Sequence, residues 1–279
     1  MTQTSTRPRR SALYLPASNG KALAKARTLP CDVVILDLED AVAPDSKAIA
    51  REQAVAAIVE GGFGSRELIV RVNGLDTEWG ADDLASLAHC RPDAILVPKV
   101  ACCADVEGYA ARIASTTPVW VMIETAASLF RLDEIAGAER VAALVMGTND
   151  LAKEMGAQPG PDRLPFVGAL GLAVAAARAH GIAILDGVYN DLEDDAGFSV
   201  QTRQAVEFGF DGKTLIHPRQ IDLCHAAFLP DDTEVAWANR IIDAFAMPEN
   251  AAKGAIRVDG KMVERLHLQH AHRVLAASR

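Results

Sequence analysis

Eight short apolar runs recur along the chain, at residues 11–15, 33–36, 68–72, 94–97, 119–123, 143–146, 182–185 and 213–216. A parallel strand covered on both faces reads as a near-continuous Val/Ile/Leu run, because neither row of side chains meets water. Alanine-rich segments with helical spacing separate the runs, and such alternation implies right-handed crossovers in a parallel sheet. Eight units of this kind predict an α/β fold, a closed (β/α)8 barrel, with its chemistry at the C-terminal mouth of the strands. At or just beyond the run ends stand Asp37, Arg71, Lys99, Glu124, Asp150, Asp186 and His217.

A barrel of this type needs about 250 residues. The chain has 279, half of them apolar, enough for one barrel and its core. We expect it at residues 1–229, followed by a C-terminal helical extension at 230–279. The extension reads as a helix from Asp231, an irregular segment at 249–262 and a final helix at 263–277. The Gly/Pro-rich stretch 154–166 reads as a long loop over the mouth, and Gly181 as a helix C-cap.

No run reaches the ~18 apolar residues of a membrane span. The basic opening (Arg7, Arg9, Arg10) leads into a run followed by Pro16, not into a signal-peptide apolar region. A cytoplasmic protein without a membrane partner is therefore expected. A net charge of −9 argues against a general nucleic-acid surface. Cys31, Cys90, Cys102, Cys103 and Cys224 form neither a CxxC pair nor zinc spacing, so they read as free thiols.

Glu124 and Asp150 follow the fifth and sixth runs, so adjacent strands would deliver two carboxylates to one side of the mouth. Magnesium takes one or two protein carboxylates and completes six ligands with water and substrate oxygens. The absence of a nearby histidine in the sequence disfavours zinc or non-haem iron. The alternative is that each acid caps a following helix. Asp37, Glu39 and Asp40 form a denser acidic knot that needs a cation, Arg or Lys to offset its repulsion.

Arg71 either pairs with that knot, binds a substrate oxygen, or does both. Lys99 is placed for a Schiff base, although the neighbouring acids favour metal chemistry. Gly147, Thr148 and Asn149 offer backbone N–H groups suited to a small carboxylate. Ser18, Asn19, Gly20, Lys21 and Lys25 form a polar turn that could hold phosphate, without any Walker or G-x-G-x-x-G pattern. His217 reads as a satisfied core histidine and Asp186 as a rim residue.

The motifs RSALYLPASNGKALAKA, DVVILDLEDAVAPDSKAIAR, IVRVNG, ILVPKV, VMIET and MGTNDLA occur in this order over roughly residues 9 to 220. In these the chain resembles the citrate lyase β-subunit-like branch of the HpcH/HpaI aldolase superfamily. These are magnesium-dependent CoA-ester lyases, malyl-CoA and citramalyl-CoA lyases among them. The resemblance implies magnesium on Glu124 and Asp150 and coenzyme A as part of the substrate. It implies Arg71 on the keto-acid or thioester oxygen, and the backbone of Gly147, Thr148 and Asn149 on the acid's carboxylate. Asn19 and Lys25 fall where relatives bind the CoA phosphates, and Asp37 and Asp40 lie behind the metal in catalytic support.

Relatives also carry a C-terminal M-x-D pattern whose Asp enters an adjacent subunit's site as acid or base. Glu264 stands at that place here, with Asp259 as a rival, and a homotrimer is the assembly such relatives commonly form. The expected reaction is cleavage of a 3-hydroxy-3-carboxyacyl-CoA (malyl, citramalyl or citryl) to acetyl-CoA and a 2-oxo acid. The runner-up is a malyl-CoA thioesterase, in which water attacks the same polarised thioester. A class II pyruvate aldolase without CoA is a third option. A non-catalytic subunit or sensor binding CoA or a keto acid is a fourth, disfavoured by the intact set Arg71, Glu124 and Asp150.

Overall fold

The structure is a computed structural model that describes residues 7–250 and 252–278. The chain divides into two compact units between His225 and Ala226, four residues before the boundary expected from sequence.

The first unit is a closed barrel of eight parallel strands in sequence order. They are β1 (Ser11–Pro16), β2 (Val33–Asp37), β3 (Glu67–Arg71), β4 (Ala94–Val97), β5 (Val119–Ile123), β6 (Val141–Met146), β7 (Ala183–Asp186) and β8 (Gly212–Leu215). Closure is made by β1 on β8, with Ser11 opposite Lys213 and Ala12 opposite Thr214. Helices follow the strands, and among the described residues none is long and apolar enough to cross a membrane.

Side chains alternate between the two faces of a strand, and this alternation decides which residues reach the mouth. The barrel interior is filled by Ala12, Val33, Ile35, Ile69, Ala94, Leu96, Trp120, Met122, Ala143, Val145 and Leu185. Two residues further along the same rows come Tyr14, Asp37, Arg71, Glu124 and Gly147. The intervening residues, such as Val34, Leu36 and Val70, are equally buried on the outward side of the strands. Trp120 is completely buried, with the Arg9 guanidinium 5.1 Å from its ring.

The same parity corrects the expectation for Asp186. It lies one step out of phase with Leu185 and points away from the mouth, fully buried. There it accepts from Arg163 Nη1 at 2.7 Å and Lys213 Nζ at 2.7 Å. Lys213 also donates to Gln201 Oε1 at 2.9 Å, on the helix Asp195–Phe208. Arg163, in the left-handed region at φ 50°, anchors the Gly/Pro-rich loop to this cluster. His217 is likewise no core histidine. It is exposed and accepts from the Arg219 N–H through Nδ1 at 3.2 Å.

The second unit corrects the tail. Residues 249–262 are not wholly irregular, because Ala255–Val258 (β9) and Lys261–Glu264 (β10) pair as an antiparallel hairpin. The turn is Asp259-Gly260, both at positive φ (48° and 83°), the dipeptide that two-residue hairpins favour. The helices Asp232–Ala246 and Arg265–Ala277 complete this unit. Its core joins Ala238, Ile241 and Phe245 to Ile256, Val258, Val263 and Ala271. Asp231 opens the first helix with a capping box to Glu234, satisfying N–H groups that a helix start leaves without partners.

Candidate active site

A cavity of about 280 Å³ opens at the C-terminal mouth, lined by Tyr14, Asp40, Arg71, Glu124, Thr148 and Asp150, among others. Met122, Met146, Val188 and Ile216 give it apolar walls.

Arg71 is its fixed cation. Nε donates to Asp37 Oδ1 at 2.7 Å and Nη2 to Asp37 Oδ2 at 2.6 Å, while the guanidinium lies 4.8 Å from the Tyr14 ring centre. Glu39 Oε2 stands 2.9 Å from Nη1 as an ion pair without hydrogen-bond geometry, and Asp40 Oδ2 is 3.6 Å away. A guanidinium has five N–H donors, so this clamp leaves some free to face the cavity.

Asp37 is buried and also accepts from the N–H groups of Glu39 and Ala41 at 2.9 and 3.0 Å. Its oxygens are committed to Arg71 and the backbone, so it positions the arginine and is not itself placed to move protons. Asp40 is the exposed carboxylate of the knot. Burial pushes the Glu39 carboxyl up to about 8, against the pull of Arg71.

Sequence reasoning passed over the device behind this knot. Lys47 Nζ is buried and donates to the carbonyls of Leu38 and Glu39 and to Asn73 Oδ1, at 2.7, 2.8 and 2.6 Å. Asn73 is held in turn by Asp83, at 2.6 Å. One lysine thus ties the loop after β2 to the loop after β3. Its signal was weak, being a single charge at the start of an alanine-rich helix. Asn190 was also missed: it exchanges two amide hydrogen bonds with Asn149, at 2.8 and 3.2 Å, across the mouth.

Glu124 is buried at the end of β5. Its Oε1 accepts the Lys99 N–H at 2.7 Å, whereas its Oε2 is buried without a hydrogen-bond partner. Burial raises its pKa, opposed first by the Lys99 charge. Asp150 belongs to the helix Thr148–Met155, whose opening residues Thr148, Asn149 and Asp150 line the cavity. Its Oδ1 accepts from Lys99 Nζ at 2.6 Å. Burial disfavours the charged form of Lys99, but the bond to Asp150 and the charge of Glu124 outweigh it and raise its pKa.

Gly147 is required between these acids, since a Cβ there would overlap the Glu124 side chain, within 2.6 Å of Oε2. Among the described residues no three His, Cys, Asp or Glu side chains converge as a ready metal cage. Two carboxylates, one following β5 and one in the first turn of the helix after β6, the first with an unpaired buried oxygen, do fit a hard cation that takes most of its ligands from water and substrate.

Away from this pair, Asn19 caps the helix Gly20–Ala26 by accepting the Ala22 N–H at 3.1 Å, and Lys25 is exposed in its last turn. The cap uses the Asn19 Oδ1 acceptor, and the side-chain amide also carries two N–H donors. All five cysteines are free. In the second unit Glu264 ends β10 and is the N-cap residue of the last helix, with its N–H donating to His267 Nδ1 at 2.9 Å. Asp259 pairs with Arg240 at 3.1 Å.

Fold and site define a (β/α)8-barrel protein with a clamped arginine and two carboxylates joined by one lysine at the mouth. The HpcH/HpaI aldolase/citrate lyase family model matches residues 10–218, and the chain belongs to that family, as its motifs suggested. The chain is 49% identical to a (3S)-malyl-CoA thioesterase of Cereibacter sphaeroides, over 96% of this chain and 94% of that one. It is 38% identical to an L-malyl-CoA/beta-methylmalyl-CoA lyase of the same species, over 92% and 91%. Among solved structures it resembles CitE of Mycobacterium tuberculosis in complex with magnesium, acetoacetate and coenzyme A. The TM-score is 0.83 and the identity 31%, covering 97% of this chain and 98% of that chain.

Proposed function

We propose that the protein is a magnesium-dependent thioesterase that hydrolyses a 3-hydroxy-3-carboxyacyl-CoA of the malyl-CoA type. The observation that carries the metal and its place is the buried, unpaired Oε2 of Glu124 facing the Gly147–Asp150 turn. The choice of hydrolysis over carbon–carbon cleavage is supported by 49% identity to a malyl-CoA thioesterase against 38% to a malyl-CoA lyase.

Glu124 and Asp150 would hold magnesium, which when bound supplies Lewis acidity and a template for the substrate's hydroxyl and neighbouring carboxylate. The N–H groups of Thr148 and Asn149 receive that carboxylate at the helix start. Arg71 turns its free N–H groups to the thioester oxygen, where negative charge develops as water adds to the carbonyl carbon. Asp40 accepts the proton that water loses. The tetrahedral adduct then collapses with loss of the C–S bond, and the departing CoA sulfur takes up the proton that Asp40 accepted. Asp37, Glu39 and Lys47 keep the arginine and its loop in place. Lys25 meets the CoA phosphates beside the turn that Asn19 caps.

An assay of malyl-CoA with magnesium tests this, following free thiol and glyoxylate together. Hydrolysis releases thiol and malate with no glyoxylate, whereas glyoxylate and acetyl-CoA as the main products would overturn it. Carbon–carbon cleavage is the second reading, favoured by the 38% identical lyase, and the same clamp could stabilise the enolate it needs. The acid–base role of Glu264 at a neighbouring copy's site and a homotrimer belong to the proposal. Light scattering tests the assembly.

A further inference from the structure

The two carboxylates proposed above to hold magnesium are bridged by a single residue. Lys99 gives its backbone N–H to Glu124 Oε1 at 2.7 Å and its ammonium to Asp150 Oδ1 at 2.6 Å. Nζ is also 3.9 Å from Glu124 Oε1. This reach goes with a left-handed backbone at φ 53°, a conformation a lysine rarely takes and that recurs where function over-determines geometry.

Resting on that reading of the metal site, we infer that Lys99 is a built-in counter-cation. It holds the two acids together before the metal arrives, and its ammonium must leave Asp150 for the metal to bind. Magnesium binds carboxylate oxygens at about 2.0–2.1 Å. An ammonium still bonded to the same Asp150 oxygen would sit against the ion, and the two cations would repel. The two halves of Lys99 can part company. Its N–H holds the buried Glu124, while the side chain is 41% exposed and can swing into water. Metal binding is then an exchange of one cation for another, and the ammonium lowers the site's affinity.

Calorimetric titration of magnesium into the full-length, metal-free protein tests this without reference to turnover. Lys99→Met keeps the backbone bond to Glu124 and removes the ammonium, so it should bind magnesium about tenfold more tightly or better. Lys99→Arg keeps the charge and should bind like the wild type. Metal-free Lys99→Met should also melt at a lower temperature and regain more on adding magnesium than the wild type does. Should Met fail to fold, Lys99→Gly relieves the left-handed backbone and carries the same expectation. Equal or weaker affinity in both uncharged variants would overturn the inference while leaving the metal site intact. If the wild type itself gives no binding signal, the metal reading fails and the inference with it.

Discussion

Arg71 and Asp37 meet side by side, Nε to Oδ1 at 2.7 Å and Nη2 to Oδ2 at 2.6 Å, with Asp37 wholly buried. The register of β2 and β3 sets Asp37 directly opposite Arg71, so the pair is a consequence of strand pairing. Removing one partner of such a buried pair costs about 3–5 kcal/mol. Asp37→Asn should therefore lower stability by that order in urea denaturation. It should also cut kcat by about 10²-fold, because Arg71 loses its orientation. Unchanged kcat would show that Arg71 needs no clamp.

Gly147 packs on Glu124 so closely that the smallest side chain collides with it. Its φ of −97° lies in the ordinary range, so the demand is for space and not for an unusual backbone. Gly147→Ala should leave the fold intact by circular dichroism while displacing the carboxylate. A drop in kcat/KM of about 10²-fold is expected, together with weaker magnesium binding by calorimetry.

Glu39 makes stability depend on pH. Burial, only partly offset by Arg71, lifts its carboxyl from an ordinary 4.5 to about 8. Between those values the folded protein holds a proton that the unfolded chain has released. The contribution is therefore present at low pH and disappears as pH rises through the folded value. The urea midpoint of the metal-free protein should fall between about pH 5 and about pH 8. Glu39→Gln should flatten that slope, and an unchanged slope would assign it to other groups.

Most of the architecture could be read from the chain because buried parallel strands leave a one-dimensional mark. The mark has a parity, and parity separates Asp37, Arg71 and Glu124, which point into the mouth, from Asp186, which does not. Read by its position after an apolar run, Asp186 looked like a rim residue. Its phase relative to Leu185 puts it under a helix with Lys213 and Arg163. The hairpin in the tail carried its own signal, Asp-Gly between short alternating stretches. Lys47 left only a weak signal and Asn190 none, because what matters in each is a partner on a distant loop.

Asp186 gives this parity an experimental consequence. Burial would raise its pKa, but Lys213 and Arg163 hold it below the usual carboxylate range. Asp186→Asn leaves two buried cations without their acid and should cost about 3–5 kcal/mol, measured as a lower urea midpoint at neutral pH. Because Gly187 follows directly and Val188 lines the cavity, KM for the thioester should rise as well.

Glu264 is the N-cap residue of the last helix, and substitution can separate that place from the acid–base role proposed for it. As the N-cap residue of the last helix it is not among the favoured types, whereas Asp is. Glu264→Asp should therefore leave melting unchanged or slightly raised while drawing the carboxylate back by one methylene. Glu264→Gln removes the proton-transfer group at nearly constant size. If the side chain serves as acid or base, kcat should fall by about 10²–10⁴-fold in the Gln variant, and less in the Asp variant. KM should stay close to the wild-type value in both. A helix cap alone would move melting temperature and leave kcat where it was, so wild-type kcat in Glu264→Gln would remove Glu264 from the chemistry.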